Sequence, residues 1–309
     1  MAVTAGFDVV TGALGYTGRY IARALLARGR RVVTLTGHPD RPNPFGERVR
    51  VERLDFEHPA ALAAKMAGAD TLYNTYWVRF DRGPTTLARA IENTKVLVRA
   101  AAGAGVRRIV HISVTNPSPA SALPYYRGKA EVEDVIAGSG LSYALVRPTV
   151  VFGREDVLIN NIAWLLRRIP VFAVPGRGDY RLQPVFVEDL ARIAVAAAAR
   201  SDPLVIDAVG PEVFTFDELV RLIARAVGSR ARIVRVRPWL ALVTARLIGW
   251  AVRDVLLTRD ELVGLMANLL VSTQSPTGST RFTDWLAAHA DQLGRAYASE
   301  LARHFRPTT

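Results

Sequence analysis

The 309-residue chain contains no cysteine, and its five histidines are scattered. Without cysteine it can form no disulfide, no thiolate zinc site and no cysteine nucleophile. The histidines lack the short spacings that a metal site requires, so we expect no metal. These absences exclude thiol and metal chemistry as the basis of its function.

Long apolar segments without charge are also missing. A membrane-spanning helix needs about 20 predominantly apolar residues in succession, and no stretch of the sequence provides them. The N-terminus lacks a basic region followed by an apolar core, so no signal peptide is predicted. We therefore expect a cytoplasmic protein without a membrane span.

Acidic residues are outnumbered, 28 against 40 basic ones, which gives a net charge of +12. A basic chain can bind nucleic acid or an anionic membrane surface. However, the arginines occur in every segment, and no basic and aromatic residues interleave as they do in a base-stacking groove. We therefore expect no nucleic-acid partner, and an anionic cofactor would use part of this charge.

Glycine is abundant close to the N-terminus. The apolar run Phe7 to Val10 predicts a buried strand, and Gly12, Gly15 and Gly18 follow it ahead of a stretch with helical spacing. Val32 to Leu35 then predicts a second strand. A turn without side chains lets the backbone approach a pyrophosphate, and the helix N-terminus behind it attracts anions. The bracketed glycines therefore predict a dinucleotide site.

The following segments alternate between strand and helix patterns. This rhythm predicts an α/β fold, a Rossmann-type doubly wound parallel sheet covered by helices on both faces. We expect an NAD(P)-binding domain over residues 1–150, completed by about 183–209. A smaller, mostly helical substrate or partner region is expected over 151–182 and 210–309.

Local patterns predict further details of this plan. The run Ala69 to Trp77 predicts a fourth strand, and several prolines and glycines predict irregular structure over Ile169 to Pro184. Thr283 can cap a last long helix in which Leu293 and Leu301 share one face.

The segment Pro238 to Thr258 is nearly apolar, but Arg246, Arg253 and Asp254 make it a poor membrane span. This composition favours a buried or partner-facing helix over an interfacial membrane helix. Association with a membrane surface or a membrane complex stays open, as does the oligomeric state.

Acid–base chemistry is indicated by Tyr125 and Lys129, a Tyr-x-x-x-Lys pair. Side chains four residues apart lie on one face of a helix, or at its N-terminal edge. An ammonium near a phenol favours the phenolate, so the tyrosine becomes a usable acid or base near neutral pH. The lysine can also hold a ribose hydroxyl.

With these motifs, the sequence resembles the short-chain dehydrogenase/reductase superfamily in its extended or atypical branch. Seven pieces occur in the family's order: TGALGYTG at 11–18, Asp55, Asn93, HIS at 111–113, YYRGK at 125–129, LVRPTVVFG at 145–153 and PVFVEDLA at 184–191. They cover about residues 7–215. The later pieces are most similar to the nucleoside-diphosphate-sugar epimerase-like branch, which includes the NADPH-binding accessory subunit of respiratory complex I.

The resemblance implies roles for the matching positions. Asn93, Tyr125 and Lys129 would be members of a catalytic tetrad. Asp55 would bind the adenine amino group, with Phe56 beside it. The cofactor-binding set is then Gly12, Gly15, Tyr16, Thr17, Gly18, Arg19, Thr36, Arg41, Asp55, Phe56, Thr75, Lys129, Pro148 and Val151.

Two places depart from the family pattern. Val114 stands where members commonly have serine or threonine, so Ser113, our candidate, or Thr115 would have to supply the catalytic hydroxyl. Tyr76 and Trp77 replace the small residues usual after the fourth strand, where they would line or crowd the nicotinamide face. Because a Tyr–Lys pair without a third hydroxyl still binds a nucleotide, cofactor binding without catalysis stays open.

The end of the second strand indicates the choice of cofactor. NAD-binding chains usually have an acidic residue there, which accepts hydrogen bonds from the ribose, whereas this chain has Thr36, Gly37 and His38. Arg19 and Arg41 are candidates to bind a 2′-phosphate. NADP(H) is therefore favoured over NAD(H), although Arg41 could equally be a solvated loop residue.

Together these features predict an NAD(P)-dependent oxidoreductase or epimerase-type enzyme that acts on a carbonyl or alcohol of a small molecule. The alternative is a non-catalytic NADP(H)-binding scaffold or redox sensor, docked to a membrane complex. No pattern in the sequence indicates the substrate.

Overall fold

The computed structural model describes residues 6–304. The strands are β1 Phe7–Thr11, β2 Arg31–Thr36, β3 Val49–Arg53, β4 Ala69–Asn74, β5 Arg108–Ile112, β6 Ser142–Pro148, β7 Val151–Phe152, β8 Val171–Pro175, β9 Arg181–Leu182, β10 Val185–Phe186, β11 Leu204–Ala208, β12 Phe214–Thr215 and β13 Arg232–Val236. The helices are α1 Tyr16–Leu26, α2 Pro59–Met66, α3 Leu87–Gly103, α4 Pro124–Ala137, α5 Leu158–Arg168, α6 Val187–Ala197, α7 Phe216–Ala226, α8 Pro238–Val252, α9 Arg259–Met266, α10 Phe282–His289 and α11 Glu300–His304.

The chain divides into two compact units. The first comprises the chain up to Pro148 together with Leu190–Asp207. The second comprises Thr149–Asp189 and the chain from Ala208 onwards.

The first unit contains a seven-stranded sheet in the order β11-β6-β5-β4-β1-β2-β3. The pairings of β1 with β2 and β4, of β2 with β3, and of β5 with β4 and β6 are all parallel. The order runs outwards from β1 in both directions, so the neighbouring ends of β1 and β4 form the switch point at which such sheets bind ligands. The predicted Rossmann-type fold is confirmed.

The fourth strand is shorter than predicted, because β4 ends at Asn74. The backbone N–H groups of Thr75 and Tyr76 donate to the hydroxyl of Thr11, over 2.7 and 3.0 Å. These two bonds turn the chain away from the ladder at the end of β1. The polar side chain of Thr11 thus sets the boundary that an apolar pattern alone extends to Trp77.

A buried arginine joins the late segment of the first unit to its sheet. Arg108 on β5 has no exposed surface. Its guanidinium donates to the carbonyls of Ala197 and Asp202, each over 3.0 Å, and to the hydroxyl of Ser142. Since a buried charge is costly unless its donors find acceptors, these contacts specify where the segment after α6 must lie.

The second unit has a core of aromatic rings. Phe152 is fully buried, and its ring centroid lies 5.5, 5.1 and 5.2 Å from those of Phe186, Phe282 and Trp285. The pairs with Phe282 and Trp285 are edge-to-face, and such pairs stabilise the core beyond the area that each ring buries. The unit is therefore held together by apolar contacts between distant parts of its chain.

Two sequence expectations for the second unit were wrong. The stretch predicted to be irregular contains β8, which pairs in parallel with β13 from Arg232↔Val171 to Val236↔Pro175. The predicted last helix is interrupted between α10 and α11, and Thr283 lies inside α10 instead of capping it. The interruption includes Gly294, whose φ is +69° and where an added Cβ would lie 2.5 Å from the backbone of Ala163.

Helix α8 is apolar on its solvent side. Within it only Ala241 and Gly249 are buried. Five large apolar side chains are at least 40% exposed, namely Trp239 (59%), Leu240 (40%), Val243 (46%), Leu247 (65%) and Trp250 (84%). The expectation that this helix is buried within the chain was wrong, whereas a partner-facing role stays a prediction.

Candidate nucleotide-binding and catalytic site

The glycine turn between β1 and α1 has the close contacts that its spacing predicts. Gly12 has a φ of +69°, which glycine adopts without strain. A Cβ on Gly18 would lie 2.4 Å from the carbonyl oxygen of Gly12, so only glycine lets α1 approach β1 this closely. The N–H of Gly15 donates to the carbonyl of Gly12 over 2.8 Å and closes the turn.

The N-terminus of α1 is suited to an anion. Gly15 is its N-cap, no side chain caps the helix, and the first turn contains no acidic residue. The first backbone N–H groups of a helix have no partner within it, and they lie at the positive end of its dipole. Tyr16 and Thr17 begin this turn half-exposed. The guanidinium of Arg19 donates to the carbonyl of Leu14 over 3.1 Å.

Polar side chains form a buried network where β1, β4 and β5 end. Thr11 and Asn74 are linked over 3.2 Å, and the amide of Asn74 contacts Nδ1 of His111 over 3.1 Å. The hydroxyl of Thr75 donates to the carbonyl of Thr11 over 2.5 Å. Asn74 and His111 have no exposed surface. Thr75, expected to bind the cofactor, therefore joins β1 to the end of β4.

The network holds His111 as a neutral imidazole. Burial and the nearby Lys129 lower the pKa of His111 well below its ordinary value. The Oδ1 of Asn74 accepts from the N–H of Tyr76 over 3.0 Å, so its amino group faces His111 and donates to Nδ1. The remaining proton lies on Nε2, which has no partner among residues 6–304.

Lys129 lies inside the first unit, covered by an aromatic ring. It is 2% exposed, its ammonium donates to the carbonyl of Ile112 over 2.9 Å, and it lies 4.4 Å from the ring centroid of Trp77. Burial lowers the pKa of Lys129 to about 7, although Glu133 opposes the change. At neutral pH the side chain is therefore only partly charged, which weakens the expected stabilisation of a phenolate.

Tyr125 lies half-exposed on the same helix, α4. Its ring centroid is 6.0 Å from that of Trp77, in an edge-to-face arrangement. Trp77 thus contacts both members of the predicted Tyr–Lys pair. The indole has room because α4 has Gly128 at the contact, where a Cβ would lie 3.3 Å from Trp77 and 3.0 Å from Ile91.

Ser113 follows β5, and its hydroxyl is available to a ligand. The residue is 5% exposed, and its Oγ has no hydrogen-bond partner among the described residues. A buried hydroxyl without a partner is costly and uncommon. Val114, next to it, is buried and supplies no hydroxyl.

Asn93 contacts a side chain outside the predicted tetrad. Its amide donates to the hydroxyl of Tyr76 over 2.8 Å, and the ring of Tyr76 lies 5.0 Å from that of Phe56. Asp55 accepts from the N–H of Glu57 over 3.0 Å and contacts His58 over 2.9 Å. These two contacts lower the pKa of Asp55, the His58 bond most strongly.

The end of β2 presents a hydroxyl and a cation. Thr36 is buried, and its Oγ1 accepts from the N–H of His38 over 3.1 Å. Arg41 is half-buried and has no ion-pair partner within residues 6–304, and burial lowers its pKa. A guanidinium in this condition would gain from a phosphate partner.

The remaining predicted cofactor residues fall in different units. Pro148 is buried at the end of the first unit, whereas Val151 pairs with Val185 in the second. Within the described part of the chain, no group of three potential metal ligands occurs, and no helix has the length and apolar character that a membrane crossing requires.

The structure adds contacts that the motifs did not indicate. The contact of Trp77 with Lys129 depends on side-chain direction and on Gly128, which no local pattern shows. The linked pair Asn74 and His111 had a weak signal, since both are polar residues near the ends of largely buried strands.

The motif resemblance is supported by known proteins. Residues 12–157 match a protein-family model described as NAD(P)H-binding. The chain is 26% identical over 238 residues to subunit 9 of the mitochondrial NADH dehydrogenase [ubiquinone] 1 alpha subcomplex of Arabidopsis thaliana, covering 73% of this chain and 59% of the subunit. It is 28% identical over 235 residues to the ceramide reductase of Caulobacter vibrioides, covering 74% and 73%. The plant subunit is thus matched over less than two thirds of its length.

Solved structures share the fold. The NADPH complex of the Escherichia coli NADPH-dependent quinone oxidoreductase QOR2 matches with a TM-score of 0.73 at 21% identity, covering 93% of this chain and 99% of that one. A nucleoside-diphosphate-sugar epimerase from Staphylococcus aureus matches with a TM-score of 0.64 at 18% identity, covering 91% and 99%. The chain thus contains an NAD(P)-binding domain, is homologous to the complex I subunit, and has its structural neighbours in the superfamily of nucleotide-sugar epimerases and reductases.

Proposed function

We propose that this homologue of a complex I subunit is an NADP(H)-dependent oxidoreductase of the short-chain dehydrogenase/reductase type. In this proposal it reduces a carbonyl, or oxidises an alcohol, on a small molecule. The observation that carries the proposal is that α1, whose N-terminus has no side-chain cap, and the Tyr125–Lys129 pair belong to one parallel sheet unit. The relatives with reductase names support the same class of reaction.

Residues of the chain fit a dinucleotide. The pyrophosphate would bind the first backbone N–H groups of α1, because Gly15 has no side chain in the way. Ser113 supplies a buried hydroxyl that no described residue uses. Nicotinamide, when bound, supplies or accepts the hydride.

In this proposal, a side chain of the protein supplies the proton that the substrate oxygen receives. In the reducing direction, the hydroxyl of Tyr125 would give its proton to the substrate oxygen as the carbonyl carbon gains a hydride, which yields the alcohol. Ser113 would orient that oxygen. Lys129 would return a proton to the phenolate of Tyr125 or stabilise that phenolate. Its lowered pKa of about 7 suits a group that exchanges a proton at neutral pH.

The preference for NADP(H) is part of the proposal. It rests on Thr36, which brings no negative charge to the end of β2, and on Arg41, which has no ion-pair partner in the described part of the chain. Either cofactor fits the glycine turn itself.

A second candidate function is a nucleotide-binding scaffold without turnover. Trp77 favours it, because the ring covers Lys129 at 4.4 Å and would have to move before a ribose could reach the ammonium. The bond from Asn93 to Tyr76 favours it too. The homology to complex I subunits makes docking to such an assembly part of this second candidate. A cytoplasmic location stays a prediction.

The two candidates are distinguished by NADPH oxidation with a panel of aldehydes, ketones and quinones. If the chain is an enzyme, Tyr125→Phe should lower the rate by roughly 10²- to 10⁴-fold, the usual range for a lost general acid, with cofactor affinity nearly unchanged. Tyr126→Phe, which removes the adjacent hydroxyl from the same helix, is the control and should keep the rate.

Val114→Ser extends this test. If a working Tyr–Lys pair lacks only a well-placed hydroxyl, the serine should preserve or raise the rate. If the wild-type chain and Val114→Ser both bind NADPH but oxidise it with no member of the panel, the enzyme proposal is contradicted. The nucleotide-binding scaffold is then the remaining candidate.

A further inference from the structure

The largest exposed apolar surface on a single element of the second unit is on α8. Its five exposed apolar side chains, Trp239, Leu240, Val243, Leu247 and Trp250, are spaced so that they fall within one arc of the helix. Soluble monomers rarely expose a contiguous apolar patch of this kind without a function. We call this arc the α8 face.

Most charged residues beside α8 in the sequence are basic. Residues 229–259 contain seven arginines and a single acidic residue, Asp254. Asp254 is 8% exposed, and its carboxylate accepts from the N–H groups of Glu300 and Leu301 over 2.8 and 3.0 Å. Its charge is therefore used inside the second unit. Arg235 is paired with Asp217 over 3.6 Å, and the remaining arginines give this segment a positive balance.

One of these arginines belongs to the helix itself. Arg246 is exposed and has no ion pair within residues 6–304, and it lies one turn from both Val243 and Trp250. The only other polar side chain of α8, Thr244, donates its hydroxyl to the carbonyl of Leu240 over 2.9 Å. The face therefore combines apolar contact with positive charge and has no exposed negative group.

We propose that α8 docks the chain on an anionic lipid bilayer, lying in the plane of the interface. Its α8 face would enter the acyl boundary while Arg246 and the flanking arginines contact lipid phosphates. Trp239 and Trp250, 11 residues and so about 16 Å apart along the axis, would lie at the headgroup level, where indole is favoured. Since α8 itself has a single charged residue, the arginines that precede and follow it in the chain would supply most of the attraction to anionic lipid.

A lipid surface, which the composition of α8 made the less favoured occupant, fits the exposed face better than a protein partner does. The exposed surface is a convex helix, which can enter a bilayer without a matching groove, and its charge complements anionic phosphate. The length of α8, 15 residues, falls short of the roughly 20 needed to cross a bilayer. The proposal does not depend on whether the first unit catalyses a reaction.

The test is flotation of the purified full chain with vesicles of phosphatidylcholine and phosphatidylglycerol in equal parts, beside vesicles of phosphatidylcholine alone. We expect the wild type to float with the anionic vesicles, and Leu247→Ser combined with Trp250→Ser to lower the bound fraction by tenfold or more. The control combines Val205→Ser with Val213→Ser, which changes two valines elsewhere that are 44% and 43% exposed, and should float as the wild type does.

Two further measurements sharpen the test. Arg246→Gln should weaken binding to the anionic vesicles several-fold, and added salt should weaken wild-type binding. The tryptophan emission of the wild type should shift to the blue with anionic vesicles, and Trp239→Phe combined with Trp250→Phe should remove most of the shift.

Wild-type chain that stays at the bottom of the gradient, or floats equally with both kinds of vesicle, would overturn the proposal. So would light scattering that shows a dimer abolished by Leu247→Ser with Trp250→Ser, because the α8 face would then belong to a second copy of this chain.

Discussion

The two units of the chain bury different chemistry. In the first, the ends of β1, β4 and β5 enclose Thr11, Asn74, His111, Ser113 and Lys129, all at most 5% exposed. In the second, the interior around Phe152 is a cluster of rings, and five exposed large apolar side chains lie on the α8 face. The first unit thus buries polar side chains at its strand ends. The second buries apolar rings and also exposes apolar side chains on α8.

This difference separates stability from binding. Burying a polar group costs free energy unless it finds partners, so the orphaned Oγ of Ser113 and the desolvated Lys129 lower the stability of the first unit. Such groups are expected where a ligand completes the contacts. In the second unit the buried rings supply stability, and the exposed helix α8 would make the proposed lipid contact. A variant in one unit should therefore change that unit's own property, whether ligand binding or packing stability, and leave the property of the other unit unchanged.

The largest effect is expected at the aromatic core of the second unit. Phe152→Ala removes a fully buried ring that contacts three others, and should destabilise the chain by about 3–5 kcal/mol. Phe152→Leu, which keeps most of the volume, should cost much less. Thermal unfolding followed by near-ultraviolet circular dichroism measures both. Equal losses for the two variants would contradict a tightly packed ring cluster.

The next effect tests the glycine turn. Gly15→Asp places a carboxylate at the N-terminus of α1 and brings a Cβ to 3.2 Å from the carbonyl of Gly12. The lost contact is worth about 1.5–3 kcal/mol, so with the added repulsion NADPH affinity should fall roughly 100-fold or more. Ala61→Asp, which adds the same charge to the exposed first turn of α2, should keep it. Calorimetry on a folded variant that shows unchanged affinity would mean that the anion binds elsewhere.

An effect of comparable size is expected from Lys129→Met, which should change how the stability of the chain depends on pH. The pKa of Lys129 is lowered from 10.5 to about 7 in the folded chain, so the charged side chain destabilises the fold fully below pH 7, less as pH rises towards 10.5, and not above. Relative to wild type, the free energy of unfolding of the variant should therefore rise by about 3 kcal/mol more at pH 6 than at pH 9.5.

The control for this prediction is Lys95→Met. Contacts with Glu131 and Glu92 raise the pKa of Lys95, so that side chain stays charged from pH 6 to 9.5 and its replacement should show no such dependence. Denaturant titrations at the two pH values decide the matter. A Lys129→Met profile parallel to that of Lys95→Met would show that Lys129 is not desolvated.

The smallest effect concerns the choice of cofactor. Thr36→Asp can keep the bond from the N–H of His38 and adds a charge that repels a 2′-phosphate, so the ratio of NADPH to NADH affinity should fall by about tenfold. Adding Arg41→Ala should lower the ratio further. Arg48→Ala removes a charge from the same connection and serves as the control. If the ratio of the NADPH and NADH dissociation constants stays the same, Thr36 and Arg41 do not determine the choice of cofactor.

The sequence predicted the first unit well because its signals are local. The glycine spacing and the apolar strands follow from neighbours within one element. The second unit depends on distant contacts. Strands β8 and β13 pair across about 60 residues of chain, and the interruption after α10 arises where Gly294 meets Ala163. Periodicity within a window carries no information on either contact.

The candidate site was predictable in part for the same reason. Motif spacing identified Tyr125, Lys129 and the glycines, but the side chains that cover them depend on packing between elements. Trp77 reaches Lys129 because α4 has Gly128 at the contact. Asn93 binds Tyr76, which the family pattern does not include.

The buried Arg108 has a consequence for synthesis of the chain. Two of its acceptors, the carbonyls of Ala197 and Asp202, are translated 89 and 94 residues after it. At roughly 5–20 residues per second, the guanidinium waits about 5–20 seconds on the ribosome without them. Residues up to Pro148 emerge with the sheet lacking β11 and with this cation unsatisfied. The nascent first unit therefore stays incomplete, and open to chaperones and proteases, until Thr149–Asp189 of the second unit and then β11 have been made.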